Sequence, residues 1–511
     1  MQKQIKRFDG ELWWGGNIHH GAQMPFGGGN AYQADFTVDF AGNQCNPLFV
    51  SNKGRYIWSE QPYRIWFHDD VIAFEGAADS IVIGEGYQNL RQAYTFAANA
   101  FFPASGCLPE ELLFSAPQYN TWIEMLYTPT QDKILAYAQE LLDNGYPPGV
   151  LMIDDNWNRD YGVWEFRTEW FPDPKEMVHK LHELGFQVML WVCPFVSPDS
   201  GVFRELEKQG CLICGADGET AVRKWWNGYS AVLDLTNPKT VDWFKGQLNH
   251  LRTEYGVDGF KFDAGDPEYY RADDKCHLPS DGAIQCEAWA RIGLSYPLNE
   301  YRACWKMAGQ PLAQRLRDKL HAWGGEGLAS LIPNALAQGI AGYSFVCPDM
   351  IGGGDFASFP EGYSFDQELF VRYAQCAALF PMMQFSLAPW RVLDTRHAAI
   401  CRRAMETHVQ LSGEIVRLAK QSAKTGEPIL RHLAYNYPDD GYERICDQFM
   451  LGNTILVAPV LEKGADSRTV VFPEGVWLGE DGSEEIGPCV KEISAPLERL
   501  PWYRRKESDG V

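Results

Sequence analysis

The sequence predicts an α/β protein: a (β/α)8 barrel over residues 116–425, flanked by an N-terminal β-sandwich-like domain over 1–115 and a C-terminal all-β domain over 426–511. Three observations carry this reading. Strand-like alternation fills roughly the first hundred residues, then strands followed by amphipathic helices repeat over nearly three hundred, and beyond about Glu427 the helical pattern stops and short strands return. At 511 residues, with 45% hydrophobic and 14% aromatic content, the chain can bury a core large enough for more than one domain.

In the first unit Ala31–Phe40 alternates apolar and polar residues, as do Arg64–Glu75 and Ser80–Ile83, with Gly and Pro between them. From about Ser115 the period changes. Thr121–Leu126 precedes a helical pattern at Gln131–Asn144, Val150–Ile153 precedes Pro174–Leu184, and Val232–Leu235 precedes Pro238–Tyr255. Val188–Val192, Gly259–Phe262 and Ala341–Val346 read as further barrel strands. The last unit is expected to place strands within Asp447–Val460 and around Phe472–Trp477.

Composition excludes several classes of function. A formal charge of -22 repels phosphates, so neither nucleic acid nor an anionic membrane is an expected partner. No apolar run has transmembrane length, and Met1–Phe8 is basic but runs into Asp9-Gly-Glu-Leu where a secretory peptide needs an apolar segment. Thirteen scattered cysteines suit a reducing compartment, and a cytoplasmic location is expected. Cys211 and Cys214 have metal or redox spacing but no second pair nearby, and His179 and His182 share a helix face without an acidic or Cys partner in register, so no metal site is expected. Most of the 18 tryptophans and 23 tyrosines read as core, with a few available to stack on sugar rings.

The most pointed local signal is Gly256-Val-Asp-Gly-Phe-Lys-Phe-Asp-Ala-Gly-Asp266, a short apolar strand that ends in an acidic, glycine-bearing turn. It puts Asp263 at a strand's carboxyl end, the face of a barrel where chemistry is done. There it is either a cap for the next helix or a nucleophile.

Three passages decide between these readings: Lys224-Trp-Trp-Asn-Gly228 with Val232-Leu-Asp-Leu-Thr-Asn-Pro238; Lys261-Phe-Asp-Ala-Gly265; and Leu331-Ile-Pro-Asn-Ala-Leu with Gly342-Tyr-Ser-Phe-Val-Cys-Pro-Asp-Met-Ile-Gly-Gly353. In order and spacing they resemble glycoside hydrolase family 31, and within it the branch of the myogenesis-regulating glycosidase and related α-galactosidases. The resemblance implies a retaining exo-acting α-glycosidase that needs no cofactor and takes an oligosaccharide or small α-glycoside. An α-galactoside is the first expectation. A glucoside, xyloside or sulfoquinovoside, a transglycosylase and a silent carbohydrate-binding protein stay open as alternatives, and a homo-oligomer is compatible with the sequence.

Retention requires two carboxyl groups about 5–5.5 Å apart. The resemblance gives Asp263 as nucleophile and Asp318 as acid/base, since Arg302, at the family's substrate-binding position, precedes Asp318 by 16 residues. Arg317-Asp318 replaces the commoner Gly-Asp. From the residues alone, Asp318 reads equally as a solvated helix-start carboxylate paired with Arg315 or Arg317. The resemblance further implies a sugar pocket lined by Asp154 or Asp155, Trp226 with Trp225 beside it, Lys261, Asp349 and Gln384. Lys261 lies two residues before Asp263, so strand alternation turns both side chains toward the barrel axis.

Overall fold

The computed structural model describes residues 3–506, except 30, 39, 77–79 and 361. Its centre is an eight-stranded parallel barrel: β1 (Gln118–Asn120), β2 (Val150–Ile153), β3 (Gln187–Val192), β4 (Gly259–Phe262), β5 (Asn299–Tyr301), β6 (Gln314–Arg315), β7 (Val346–Cys347) and β8 (Gln384–Phe385). Neighbours in space follow chain order, β8 pairs with β1, and the ring closes through a parallel bridge between Met350 and Gln384. All these strand pairings are parallel, so each return crosses the outside of the barrel.

Helices α1 (Gln131–Asp143), α2 (Pro174–Glu183), α3 (Pro238–Tyr255), α4 (Gly282–Gly293), α5 (Leu331–Ala341), α6 (Gln367–Ala377) and α7 (Thr395–Thr425) form that outer layer. Their starts are written in the sequence. Thr130, Asp173, Asn237, Asp281, Asp366 and Asp394 each accept a first-turn backbone N–H, and proline opens α2 and α3. The β5–β6 connection holds no helix among its described residues. Instead Cys304–Trp305 pairs in parallel with Gln44–Cys45 of the N-terminal module, stitching that module to the barrel.

The N-terminal module packs two antiparallel sheets. One has the order Lys3–Lys6, Val71–Glu75, Arg64–Phe67, Tyr32–Asp35; the other is built around Gln44–Ser51 and Tyr56–Trp58. Phe49 of one sheet and Phe67 of the other meet at 5.4 Å between ring centroids, inside the aromatic core between the layers. The C-terminal module is a six-stranded antiparallel sheet dominated by the long hairpin Ser467–Gly479 with Glu484–Ser494.

Four segments differ from the sequence expectation. The Thr121–Leu126 run is mostly the short helix Trp122–Met125, because the Asn120 side chain accepts the Trp122 N–H and ends β1 there. Val232–Leu235 lies outside the barrel; Gly228–Val232 belongs to a three-stranded antiparallel ribbon with Val222–Trp225 and Phe195–Val196. Ala341 closes a helix, and only Val346–Cys347 of the next segment is strand. Leu90–Phe101, inside the all-β expectation, is an amphipathic helix capped by Asn89. Short apolar runs do not separate strand from buried helix, which accounts for the misreading of Thr121–Leu126 and Ala341–Val346.

Candidate active site

Asp263 immediately follows β4, and the backbone turns sharply after it: Ala264 adopts φ 55° and Gly265 φ 77°. A Cβ on Gly265 would lie 2.4 Å from the Trp289 ring, so glycine is required there. The turn lets the Ala264 N–H donate to Asp263 Oδ1 at 2.8 Å. Arg302 Nε donates to the same oxygen at 2.8 Å, and Trp191 Nε1 to Oδ2 at 2.9 Å. Burial pushes the carboxyl upward, but the charges of Arg302, Lys261 and Arg315 outweigh it and hold Asp263 well below the usual carboxylate range. It is an ionised, oriented carboxylate.

Arg302 follows β5 and is itself fixed. Its Nη1 and Nη2 donate to the two Asp266 oxygens at 3.0 and 2.7 Å, and Nη1 also reaches the Gly42 carbonyl at 2.9 Å. Its guanidinium lies 5.7 Å from the Trp226 ring centroid. Asp318 follows β6 with its side chain 41% exposed, paired with Arg315 at 2.8 Å. A second carboxyl therefore faces solvent two strands along the barrel from Asp263, with β5 and Arg302 between them.

Asp154 and Asp155 follow β2. Asp154 Oδ2 accepts from Lys261 Nζ at 2.6 Å, and burial, which would lower the lysine, is outweighed by this carboxylate, so Lys261 stays protonated. Asp155 accepts from the Asn156 N–H, Tyr161 Oη and Asn227 Nδ2, yet burial and then the Asp154 charge push its carboxyl up to about 7.

These strand ends surround one cavity of about 410 Å³. Asp154, Asp155, Trp226, Lys261, Asp263, Arg302 and Asp318 all line it. Trp225, Asp349 and Gln384 do not, which corrects the expectation for these three. Trp225 is buried under the ribbon, with Nε1 on Ser230 Oγ and its ring against Phe195. Asp349 is fully buried: Oδ1 accepts from Arg315 at 2.7 Å, and Oδ2 accepts the Lys319 and Gly354 N–H groups. Gln384 lies inside the barrel, donating to Glu300 at 2.7 Å.

The cavity also contains residues that sequence reasoning missed. Trp122, Trp191, Tyr269 and Phe356 add aromatic surface, Asp266 anchors Arg302, and Ala41 and Gly42 bring the N-terminal module to its rim. Trp191 is brought there by pairing in register with Lys261 on the neighbouring strand, a register that one sequence does not fix. Nothing local to Ala41 and Gly42 signals their place. Among the described residues, no group of three or more His, Cys, Asp or Glu side chains is arranged to hold a metal ion, and no helix is long and apolar enough to cross a membrane.

Comparison with known proteins agrees with this architecture. The model of the glycosyl hydrolases family 31 TIM-barrel domain matches residues 113–310, and that of the family 31 C-terminal domain matches 426–508. The chain is 35% identical over 399 residues to the myogenesis-regulating glycosidase of Mus musculus, covering 76% of this chain and 56% of that protein. It is 28% identical over 347 residues to the SITS-binding protein of Tetronarce californica, covering 64% and 48%. The chain spans about half the length of these curated relatives. In structure, the glucose complex of the Flavobacterium johnsoniae GH31 dextranase FjDex31A superposes with TM-score 0.86 at 22% identity, covering 99% of this chain and 66% of that one, a likeness of fold. The barrel, its C-terminal sheet and these matches together place the chain in glycosyl hydrolase family 31.

Proposed function

We propose that this chain is a retaining, exo-acting α-glycosidase whose substrate is a terminal α-galactoside. The observation that carries the reading is the pairing, in one cavity, of an ionised and triply hydrogen-bonded Asp263 with a solvent-facing Asp318. Asp263 attacks the anomeric carbon while Asp318 protonates the departing oxygen; Asp318 then takes a proton from water, which releases the sugar from Asp263. Arg302 and Lys261 keep the nucleophile charged. Trp226, 46% exposed at the rim, offers a stacking face. A protonated Asp155 can donate to a sugar hydroxyl, and Lys261 can donate beside it.

The galactoside reading is supported by the resemblance of Lys224–Gly228 and Lys261–Gly265 to the α-galactosidase branch of the family, together with Trp226 and Lys261 in the cavity wall; the 35% identical relative is named as a glycosidase. Thirteen free cysteines support action in a reducing, cytoplasmic compartment. A panel of nitrophenyl α-glycosides tests the substrate. The galactoside is expected to exceed the glucoside in kcat/KM by at least about ten-fold, or about 1.4 kcal/mol in transition-state binding. Equal or reversed preference discards the galactoside and leaves the mechanism standing. One relative is named for binding; binding of a glycoside with no turnover of any panel member would favour a non-catalytic protein.

A further inference from the structure

We infer that Arg315 is the residue that positions Asp318 and balances its acid and base duties. The inference rests on Asp318 being the acid/base. Arg315 ends β6 with 1% exposure, and its guanidinium is shared among three carboxylates. Nη1 donates to Asp318 Oδ1 at 2.8 Å and to Asp349 Oδ1 at 2.7 Å, while Nε donates to Glu300 Oε1 at 3.2 Å. Among the described residues Arg315 is the one hydrogen-bonding partner of the Asp318 side chain, so it alone fixes that carboxyl's direction.

The sharing has a chemical consequence. A guanidinium at hydrogen-bond distance favours the carboxylate, the form needed as a base, and opposes the proton needed by an acid. Asp349 competes for the same Nη1 from a fully buried position and is pinned by two backbone N–H groups. When Asp318 takes up its proton, Arg315 keeps Asp349 and Glu300 as partners and is never left as an unpaired buried cation. The arrangement therefore lets one residue alternate between two protonation states without disturbing its support. The other charged groups lining the same cavity as Asp318 are Arg317 on its own segment, Asp355 from the segment after β7, Lys261, Asp263, Asp266 and Glu268 on and after β4, Arg302 after β5, and Asp154 and Asp155 after β2. None is within hydrogen-bond reach of its carboxyl.

The test uses the full chain and aryl α-glycosides of graded leaving-group acidity, on the sugar that the panel identifies. Arg315→Lys keeps a charge but loses the fork, and should slow poorly activated substrates at least about ten-fold while dinitrophenyl glycosides change less than about three-fold. Arg315→Gln removes the charge and should move the alkaline limb of kcat/KM upward by about half a pH unit or more. Asp349→Asn removes the competing carboxylate and should move the same limb downward. Opposite shifts are outside the reach of a merely structural role. If Arg315→Gln does not fold, Arg315→Lys and Asp349→Asn carry the test. Wild-type leaving-group dependence in Arg315→Lys together with an unmoved limb in Asp349→Asn overturns the inference. If instead Asp318→Ala shows no loss selective for poor leaving groups, the assignment of Asp318 itself has failed.

Discussion

Lys261 Nζ lies 2.6 Å from Asp154 Oδ2, with both side chains 4% exposed, and this ion pair ties β4 to the end of β2 at the cavity wall. A buried pair adds little net stability, but breaking it strands a charge without solvent. Lys261→Met should therefore lower unfolding free energy by about 3–5 kcal/mol, and adding Asp154→Asn should restore at least about half of the loss. Urea unfolding of the wild type, both single variants and the double variant reads the cycle. A Lys261→Met variant as stable as the wild type would show that water reaches the pair.

Asp263→Ala should lower turnover by roughly 10⁴-fold or more while leaving the unfolding midpoint within a few degrees, because the lost group is the proposed point of covalent attachment. The complementary variant, Asp318→Ala, should yield an α-glycosyl azide when azide is added, since a small anion can complete the second step without a base. Near-normal turnover in folded Asp263→Ala would falsify the nucleophile assignment.

Much of this site was legible because strand alternation is rigid. Gly259–Phe262 announced itself as a strand, and the two-residue interval carried Lys261 and Asp263 to the same cavity. Strand-end position was less informative where the backbone leaves the β region. Asp349 follows β7 at φ 89°, and this left-handed turn sends its carboxyl into the interior, where it takes two backbone N–H groups. Asn156 and Ala264, at φ 73° and 55°, mark similar turns after β2 and β4. The choice between Trp225 and Trp226 depended on a hairpin whose tight turn follows Trp225, and no periodicity reveals that. Arg315 read as a surface ion-pair partner because its burial depends on Glu300 and Asp349, which arrive from other strands. The reach of Gly42 to Arg302 spans 260 residues of sequence, beyond any local signal.

Asp155 gives the site a pH dependence of its own. Burial and the Asp154 charge raise its folded pKa to about 7, above the ordinary value near 3.9 that applies when the chain is unfolded. The folded state therefore holds this proton more tightly. Its contribution to stability is fully present below about pH 4 and is lost as pH rises toward 7, by an amount on the order of a few kcal/mol. Asp155→Asn cannot ionise, so its stability relative to the wild type should improve between pH 5 and pH 8. Urea midpoints of the two proteins that run parallel across that range would contradict the assignment.

Gly354 offers the sharpest steric test of the acid/base arrangement. A Cβ built there would sit 2.6 Å from Met350 Cε, 2.8 Å from Asp349 Oδ1 and 3.1 Å from Asp318 Oδ1. The methionine can swing aside at small cost, as flexible side chains do. Asp349 cannot: it is held by Arg315 and by the N–H groups of Lys319 and Gly354 itself, while Trp122 Nε1 fixes the Gly354 carbonyl at 3.0 Å. The half-exposed Asp318 is the group free to yield. Gly354→Ala should thus cost on the order of 1–3 kcal/mol of stability, because the held Asp349 cannot relieve the 2.8 Å contact, and should displace Asp318 by a few tenths of an ångström. Proton transfer depends steeply on such geometry, so turnover of unactivated α-glycosides should fall about ten-fold or more while dinitrophenyl glycosides, which leave without a proton, are nearly unaffected. If both substrate classes slow equally, the added methyl acts on binding or folding, and the proximity of Gly354 to Asp318 has no bearing on the acid step.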